Sequence, residues 1–190
     1  MSCAVLVYGP IGSGKTCTCL SLAERVRAEG VPVSGILSIR VHQDGELIGY
    51  DGLDPASGQV FPLVRLRGQV KSPDWFVFGR LIYAFSVPGF KRANRILTRS
   101  AEALNRPSIV FVDEFGRLER AGQGVYPGAV KVVEALRGVG VGVAVFTCRT
   151  DMVEAVEELV RGKARCMFGV EPGEVEALWC RVRGCVGLNI

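Results

Sequence analysis

Residues Gly9, Pro10, Ile11, Gly12, Ser13, Gly14, Lys15 and Thr16 carry the G-x-x-x-x-G-K-T spacing that lets a backbone loop wrap a string of phosphates. The glycines allow successive N–H groups to converge on one anion, and a helix that begins there points the positive end of its dipole at the same place. In that arrangement Lys15 reaches the β- and γ-phosphates and the Thr16 hydroxyl ligates Mg2+. The nucleotide-contacting stretch is expected to run on to Cys17, the next residue of the helix.

A second chemical feature lies about a hundred residues further on. Ile109, Val110, Phe111 and Val112 are followed directly by Asp113 and Glu114. Four apolar residues bury a strand, and the two carboxylates then stand at its C-terminal end, where parallel sheets gather their ligands. Asp113 is expected to hold the magnesium through water, and Glu114 to orient or deprotonate the attacking water. Being adjacent on a strand, the two side chains are expected to point to opposite sides. Arg149, just after a core strand, is preferred over Arg117 as the cation that neutralises charge developing on the γ-phosphate.

Other residues are weighed against plainer roles. Arg92, Arg95 and Arg99 share one helical face, which a second phosphorylated substrate or bulk water could occupy. His42, the single histidine, sits beside a turn with no ligand partner at metal spacing and reads as a surface residue. Trp75, Phe76, Phe78, Tyr83, Phe85 and Phe90 suit core packing better than a lid or a base-stacking platform. Cys17 and Cys19 open the helix that follows the loop, where a thiolate would be favoured.

The elements that must position these groups follow from patterning. Cys3 to Tyr8 is a continuous apolar run, as in a strand buried on both faces, and it feeds straight into the glycine-rich turn. The helix after it is stopped by Gly30 and Pro32. Strands are predicted over Val33–Val41, Glu46–Leu53 and Gln59–Leu66, joined by turns into a small antiparallel meander. Between Arg67 and Pro88, strand and loop are both allowed. A helix over Gly89–Asn105, a buried strand over Ser108–Asp113, a helix over Pro127–Arg137, a strand over Val139–Thr147 and a helix over Asp151–Gly162 restore the α/β alternation. Asp151 is placed to cap that helix or serve its dipole. Cys166 to Ile190 reads as a closing strand and helix. The sum is an α/β fold, a mostly parallel sheet wrapped by helices, in one domain over residues 1–190.

Composition sets the boundaries. Of 190 residues 48% are hydrophobic and 22% charged, which excludes a disordered chain, and a net charge of +4 is too small to argue for nucleic acid. No apolar stretch reaches membrane-spanning length. Seven cysteines without a CxxC pair give no zinc spacing, so no structural metal is expected, and free buried thiols in a reducing cytoplasm are, unless the source is a hyperthermophile.

Three functional classes share the phosphate loop. Asp113 to Gly116 spells the D-x-x-G of GTPase switches, but Thr147, Cys148, Arg149 and Thr150 lack the lysine and aspartate that read guanine. A nucleotide or small-metabolite kinase would need an arginine-rich lid and an acceptor pocket. A nucleotide-binding regulator with an unidentified protein partner is a third possibility. Hydrolysis of a nucleoside triphosphate at the β–γ anhydride accounts best for the second carboxylate.

Further residues carry a resemblance. Gly35, Ile36, Leu37, Arg40, Val41, Gly45, Ile48, Gly49, Tyr50, Asp51, Ser57, Gly58, Pro62 and Leu63, with Asp113, Glu114, Phe115, Gly116, Arg117, Leu118 and Glu119, are similar to the small nucleoside-triphosphatase family of the thermophile and cancer-related enzymes. The resemblance covers most of residues 1–160. It implies a RecA-like P-loop fold and slow, Mg2+-dependent hydrolysis of ATP, GTP and other nucleoside triphosphates, with loose base specificity. The chain departs from that pattern at Ser38 and Ile39, where a threonine and an acidic residue are expected, and at Cys148, where histidine is common.

Overall fold

The computed structural model describes residues 2–138 and 141–187. Nine strands form one sheet: β1 (Cys3–Tyr8), β2 (Val33–Gln43), β3 (Glu46–Leu53), β4 (Val60–Leu66), β5 (Trp75–Val77), β6 (Tyr83–Ser86), β7 (Ile109–Phe115), β8 (Val143–Cys148) and β9 (Cys166–Val170). The helices are α1 (Lys15–Ala28), α2 (Val87–Ala103), α3 (Arg117–Arg120), α4 (Tyr126–Leu136), α5 (Val153–Val160) and α6 (Val175–Cys185). Across the sheet the order is β5-β6-β4-β3-β2-β7-β8-β1-β9. From β2 to β9 all neighbours are parallel, and from β2 outward to β5 all are antiparallel.

The parallel half is buried on both faces, and the alternation of its side chains shows it. On β1, Ala4 and Leu6 join the core on one side while Cys3, Val5 and Val7 join the core on the other. β7 and β8 divide in the same way, with Val112 and Phe146 on the first side and Phe111 and Val145 on the second. Helices α2, α4 and α5 cover one face and α1 and α6 the other. Close strand contact at the heart of the sheet depends on Gly35: it adopts φ 105°, and a Cβ there would collide with the carbonyl oxygen of Phe111 on β7.

The expected elements are present with shifted ends. Gly30, at φ 75°, stops α1 as expected, its N–H bonding the Arg27 carbonyl at 2.9 Å. Residues 67–86 hold a 3-10 turn and the strands β5 and β6, which extend the expected meander, and α2 begins at Val87, two residues before the expected Gly89. The strand expected from Val139 is observed from Val143, and Val139 lies outside the described residues, as do the last three of the tail read as far as Ile190. Asp151 does not cap α5. It lies in a 3-10 turn before that helix and its carboxylate pairs with Arg149 instead.

The cysteines depart most from expectation. β1 and β9 are parallel neighbours in register, which sets Cys3 directly beside Cys166 at a Cα–Cα distance of 4.7 Å, and the two are joined as a disulfide. Cys185 at the end of α6 brings its sulfur 3.8 Å from that of Cys166. The three sulfurs form a cluster that the linear spacing did not suggest. Cys19, instead of favouring a thiolate, is fully buried, and desolvation, with the nearby Asp113 charge second, raises its pKa well above the ordinary thiol value. His42 is exposed, as expected of a surface residue.

The disulfide closes a chain separation of 163 residues. Denatured but unreduced protein should therefore titrate five of its seven cysteines as thiols. Cys166→Ser should lower stability by about 2–4 kcal/mol, seen as a fall of roughly 4–16 °C in thermal midpoint for a chain of this size. An unchanged midpoint together with seven reactive thiols would remove the disulfide.

Candidate active site

The loop between β1 and α1 opens the helix with Gly14 in the left-handed region at φ 90°, so no side chain caps the first turn and its N–H groups face the space a phosphate would fill. The hydroxyl of Ser13 is buried without a hydrogen-bond partner among the described residues, an orphan that a bound oxyanion would satisfy. Lys15 does not extend into solvent. Only 5% exposed, it folds back so that its amine donates to the carbonyls of Pro10 at 2.8 Å and Gly9 at 3.1 Å. The loop's own carbonyls thus hold the ammonium in place until a phosphate competes for it.

Asp113 is 3% exposed at the end of β7. Its Oδ2 accepts from the Thr16 hydroxyl at 2.9 Å and from the backbone N–H of Ser38 at 2.7 Å, while its Oδ1 accepts from the Thr147 hydroxyl. Burial pushes its pKa up, and these hydrogen bonds work against that push. Thr147 and Ser38 were not anticipated as site residues. The sequence signal that could have found them is their position at the C-terminal ends of strands flanking β7.

The two carboxylates do not diverge as simple strand neighbours would. Val112 pairs with Phe146 and Phe115 with Cys148, so Asp113 and Glu114 together oppose the single residue Thr147. Glu114 absorbs this bulge at φ 60°, an uncommon conformation for a residue with a side chain, and its N–H donates to the Thr147 hydroxyl at 2.8 Å. As a result both carboxylates line one cleft. The Glu114 side chain is open to the cleft, and the crowding of its walls, followed by the charge of Asp113, pushes its pKa up to about 7 against the opposing pull of Lys15 and Arg40.

The cleft, of about 270 Å3, runs from Gly12 and Lys15 past the carboxylates to the antiparallel wing. Arg149 and Arg117 both line it, together with Arg40 of β2, which sequence reasoning missed. Arg149 is tied to Asp151, its Nε donating at 3.0 Å, whereas Arg40 and Arg117 are exposed to the cleft. Arg92, Arg95 and Arg99 lie outside the cleft lining, and Arg92 packs over the Phe61 ring at 4.5 Å. Tyr83, Phe85 and Phe90 line the cleft while also packing, Phe85 against Phe76 and Phe90. Glu119 is structural: buried at 4% exposure, it accepts from the N–H groups of Gly116 and Val125 at 2.9 and 3.1 Å and fixes the loop after β7.

A family model described as NTPase matches residues 4–182. The chain belongs to that family, the nucleoside-triphosphatases. Within the family it is 30% identical over 168 residues to the cancer-related nucleoside-triphosphatase homolog of Bos taurus, covering 87% of each chain. It is 31% identical over 115 residues to nucleoside-triphosphatase THEP1 of Methanopyrus kandleri, covering 60% of this chain and 58% of that one. The solution structure of a human cancer-related nucleoside triphosphatase superposes with a TM-score of 0.70 at 26% identity, over 98% of both chains. THEP1 from Aquifex aeolicus shares the fold, with a TM-score of 0.66 at 18% identity over 96% of this chain and 99% of that one. The α/β P-loop fold with a parallel, helix-covered sheet core is therefore that of the family. No helix among the described residues is long and apolar enough to cross a membrane.

The double cause of the Glu114 shift is open to test in metal- and nucleotide-free protein. Its carboxyl carbon should titrate near pH 7 by NMR, and Asp113→Asn should move that midpoint down by removing the neighbouring charge while leaving the desolvation. A midpoint at the ordinary glutamate value in the wild type would contradict the geometry described.

Proposed function

We propose that this nucleoside-triphosphatase hydrolyses the β–γ anhydride of ATP, GTP and other nucleoside triphosphates with Mg2+, Glu114 serving as base toward water. The observation that carries the reading is the bulge that turns Asp113 and Glu114 into one cleft beside the phosphate loop. Thr16 and Asp113 fit a magnesium ion. Thr16 offers a hard hydroxyl oxygen, hydrogen-bonded at 2.9 Å to the Asp113 carboxylate, so the hydroxyl would hold the ion and Asp113 would hold it through water. When bound, the ion neutralises charge on the β- and γ-phosphates.

The chain's own groups supply the rest. The glycine-rich loop and the first turn of α1, from Lys15 through Cys17, would direct N–H groups at the phosphates, and Lys15 would exchange its two carbonyl partners for phosphate oxygens. Glu114, with a raised pKa, accepts a proton from water more readily than an ordinary carboxylate. Arg149, held by Asp151, and Arg117 or Arg40 supply positive charge at the mouth of the cleft. Loose base specificity and a cytoplasmic location are part of the proposal. It expects neither a membrane nor nucleic acid as partner.

Glu114→Gln keeps shape and hydrogen-bonding reach but removes the base. It should bind a fluorescent triphosphate analogue as wild type does while phosphate release falls on the order of a hundredfold or more. Asp113→Asn should weaken magnesium-nucleotide binding itself, and Lys15→Ala should abolish turnover. Unchanged phosphate release in Glu114→Gln would eliminate the hydrolytic mechanism.

A further inference from the structure

The cleft of about 270 Å3 extends from the phosphate end, at Gly12, Lys15 and Asp113, to a set of apolar walls that a water molecule alone would leave uncovered. Past Glu114 the walls become Tyr50, Leu63, Val64, Leu81, Tyr83 and Phe85, none of them charged. Tyr50 and Tyr83 meet edge to face, their centroids 6.0 Å apart, and leave two hydroxyl-bearing rings in an otherwise apolar chamber. Nearby Arg65 is bound to Asp51 at 2.5 Å and presents no free charge to it.

The direction of the triphosphate decides what this chamber holds. The phosphate loop follows β1, and the two carboxylates end β7, two strands away on the β8 side. Because the γ-phosphate must lie at the Thr16, Asp113 and Glu114 end, the nucleoside leaves the loop in the other direction, toward β9. A separate hollow lies there, lined by Thr18, Glu171, Pro172, Gly173 and Arg181, with the Gly173 N–H donating to Thr18 at 3.1 Å. The chamber therefore sits beyond the γ-phosphate, on the side from which a nucleophile attacks.

We propose that the apolar chamber seats a neutral, ring-bearing alcohol with its hydroxyl at Glu114, so that the protein transfers the γ-phosphoryl group to that alcohol, water being the default acceptor. This rests on the triphosphatase reading above and names a second acceptor for the same site. The alcohol oxygen forms a bond to the γ-phosphorus as the bond from that phosphorus to the bridging oxygen breaks. The electron pair of the broken bond leaves with the nucleoside diphosphate. The hydroxyl proton passes to the Glu114 carboxylate and then to solvent, giving a phosphate monoester and a nucleoside diphosphate. Arg40 and Arg117 line the same cleft as Glu114 and would offset the charge of the transferring group.

The test supplies wild-type protein with magnesium and ATP radiolabelled in the γ-phosphoryl group, together with millimolar nucleosides in one arm and phenylalkanols in another. Total ATP consumed and the ratio of labelled ester to inorganic phosphate are both read. A labelled ester formed at the expense of phosphate in either arm supports the proposal, and the productive arm identifies the kind of ring. Leu81→Trp and Val64→Trp, which fill the chamber, should then lower the ester-to-phosphate ratio by roughly tenfold or more, a ratio in which any change of overall turnover cancels. ATP consumed to phosphate alone in both arms overturns the acceptor site and leaves the hydrolase reading standing. A rise in KM for ATP in the filled variants with no ester would place the nucleoside in the chamber, which also overturns it. No consumption of ATP at all defeats the triphosphatase reading, and the acceptor site falls with it.

Discussion

The carboxylate of Asp113 is held by donors from three other segments: the Thr16 hydroxyl on α1, the Ser38 N–H on β2 and the Thr147 hydroxyl on β8. A buried charge is tolerated only when its hydrogen-bonding capacity is filled, so each donor must arrive at its place for the others to be of use. The phosphate loop is thereby pinned to the strands that carry the acid and base groups. Two hydroxyls and one main-chain amide fix the relative position of α1, β2, β7 and β8 at the end of the sheet where a triphosphate would lie. The folded-back Lys15 amine fixes the loop itself from within.

The same Thr147 hydroxyl sustains the unusual backbone beside it, since it donates to Asp113 while accepting from the Glu114 N–H. A left-handed glutamate is costly by itself, on the order of 1–3 kcal/mol, and persists because its amide has a partner and its neighbour is fully bonded. The bulge solves a geometric problem. A regular strand would send one carboxylate to each face of the sheet, and here both must serve one phosphate.

Much of this was legible in the sequence, where signals are local. Continuous apolar runs, the glycine-rich loop between a strand and a helix, and two carboxylates ending such a run point to the parallel core and to most of the residues that the fold gathers at the cleft. The missing parts depend on contacts between distant residues. Cys3 meets Cys166 only because β1 and β9 lie in register. The bulge exists only in the pairing of β7 with β8, and Asp151, in the turn before α5, pairs with Arg149 instead of capping the helix. The departures from the family pattern also become intelligible. Ser38 contributes its backbone N–H, which any residue but proline supplies, so losing the expected threonine leaves Asp113 satisfied. Cys148, in place of histidine, is 1% exposed, and burial pushes its thiol up to about 11, so it packs and does not exchange protons near neutrality.

β2 explains how one cleft joins two kinds of sheet. Residues Val33 to Ile36 pair with β7 in parallel, and Leu37 to Gln43 pair with β3 in antiparallel. Ser38 lies just past the point where β2 changes partners, and its N–H turns to Asp113. Two residues further along the same face, the period of a strand brings Arg40 to the cleft wall. The strand that completes the bonding of the buried acid is therefore also the root of the wing that carries Tyr50, Tyr83 and Phe85. The wing and the phosphate site thus share one strand, through Ser38 at Asp113 and Arg40 on the cleft wall.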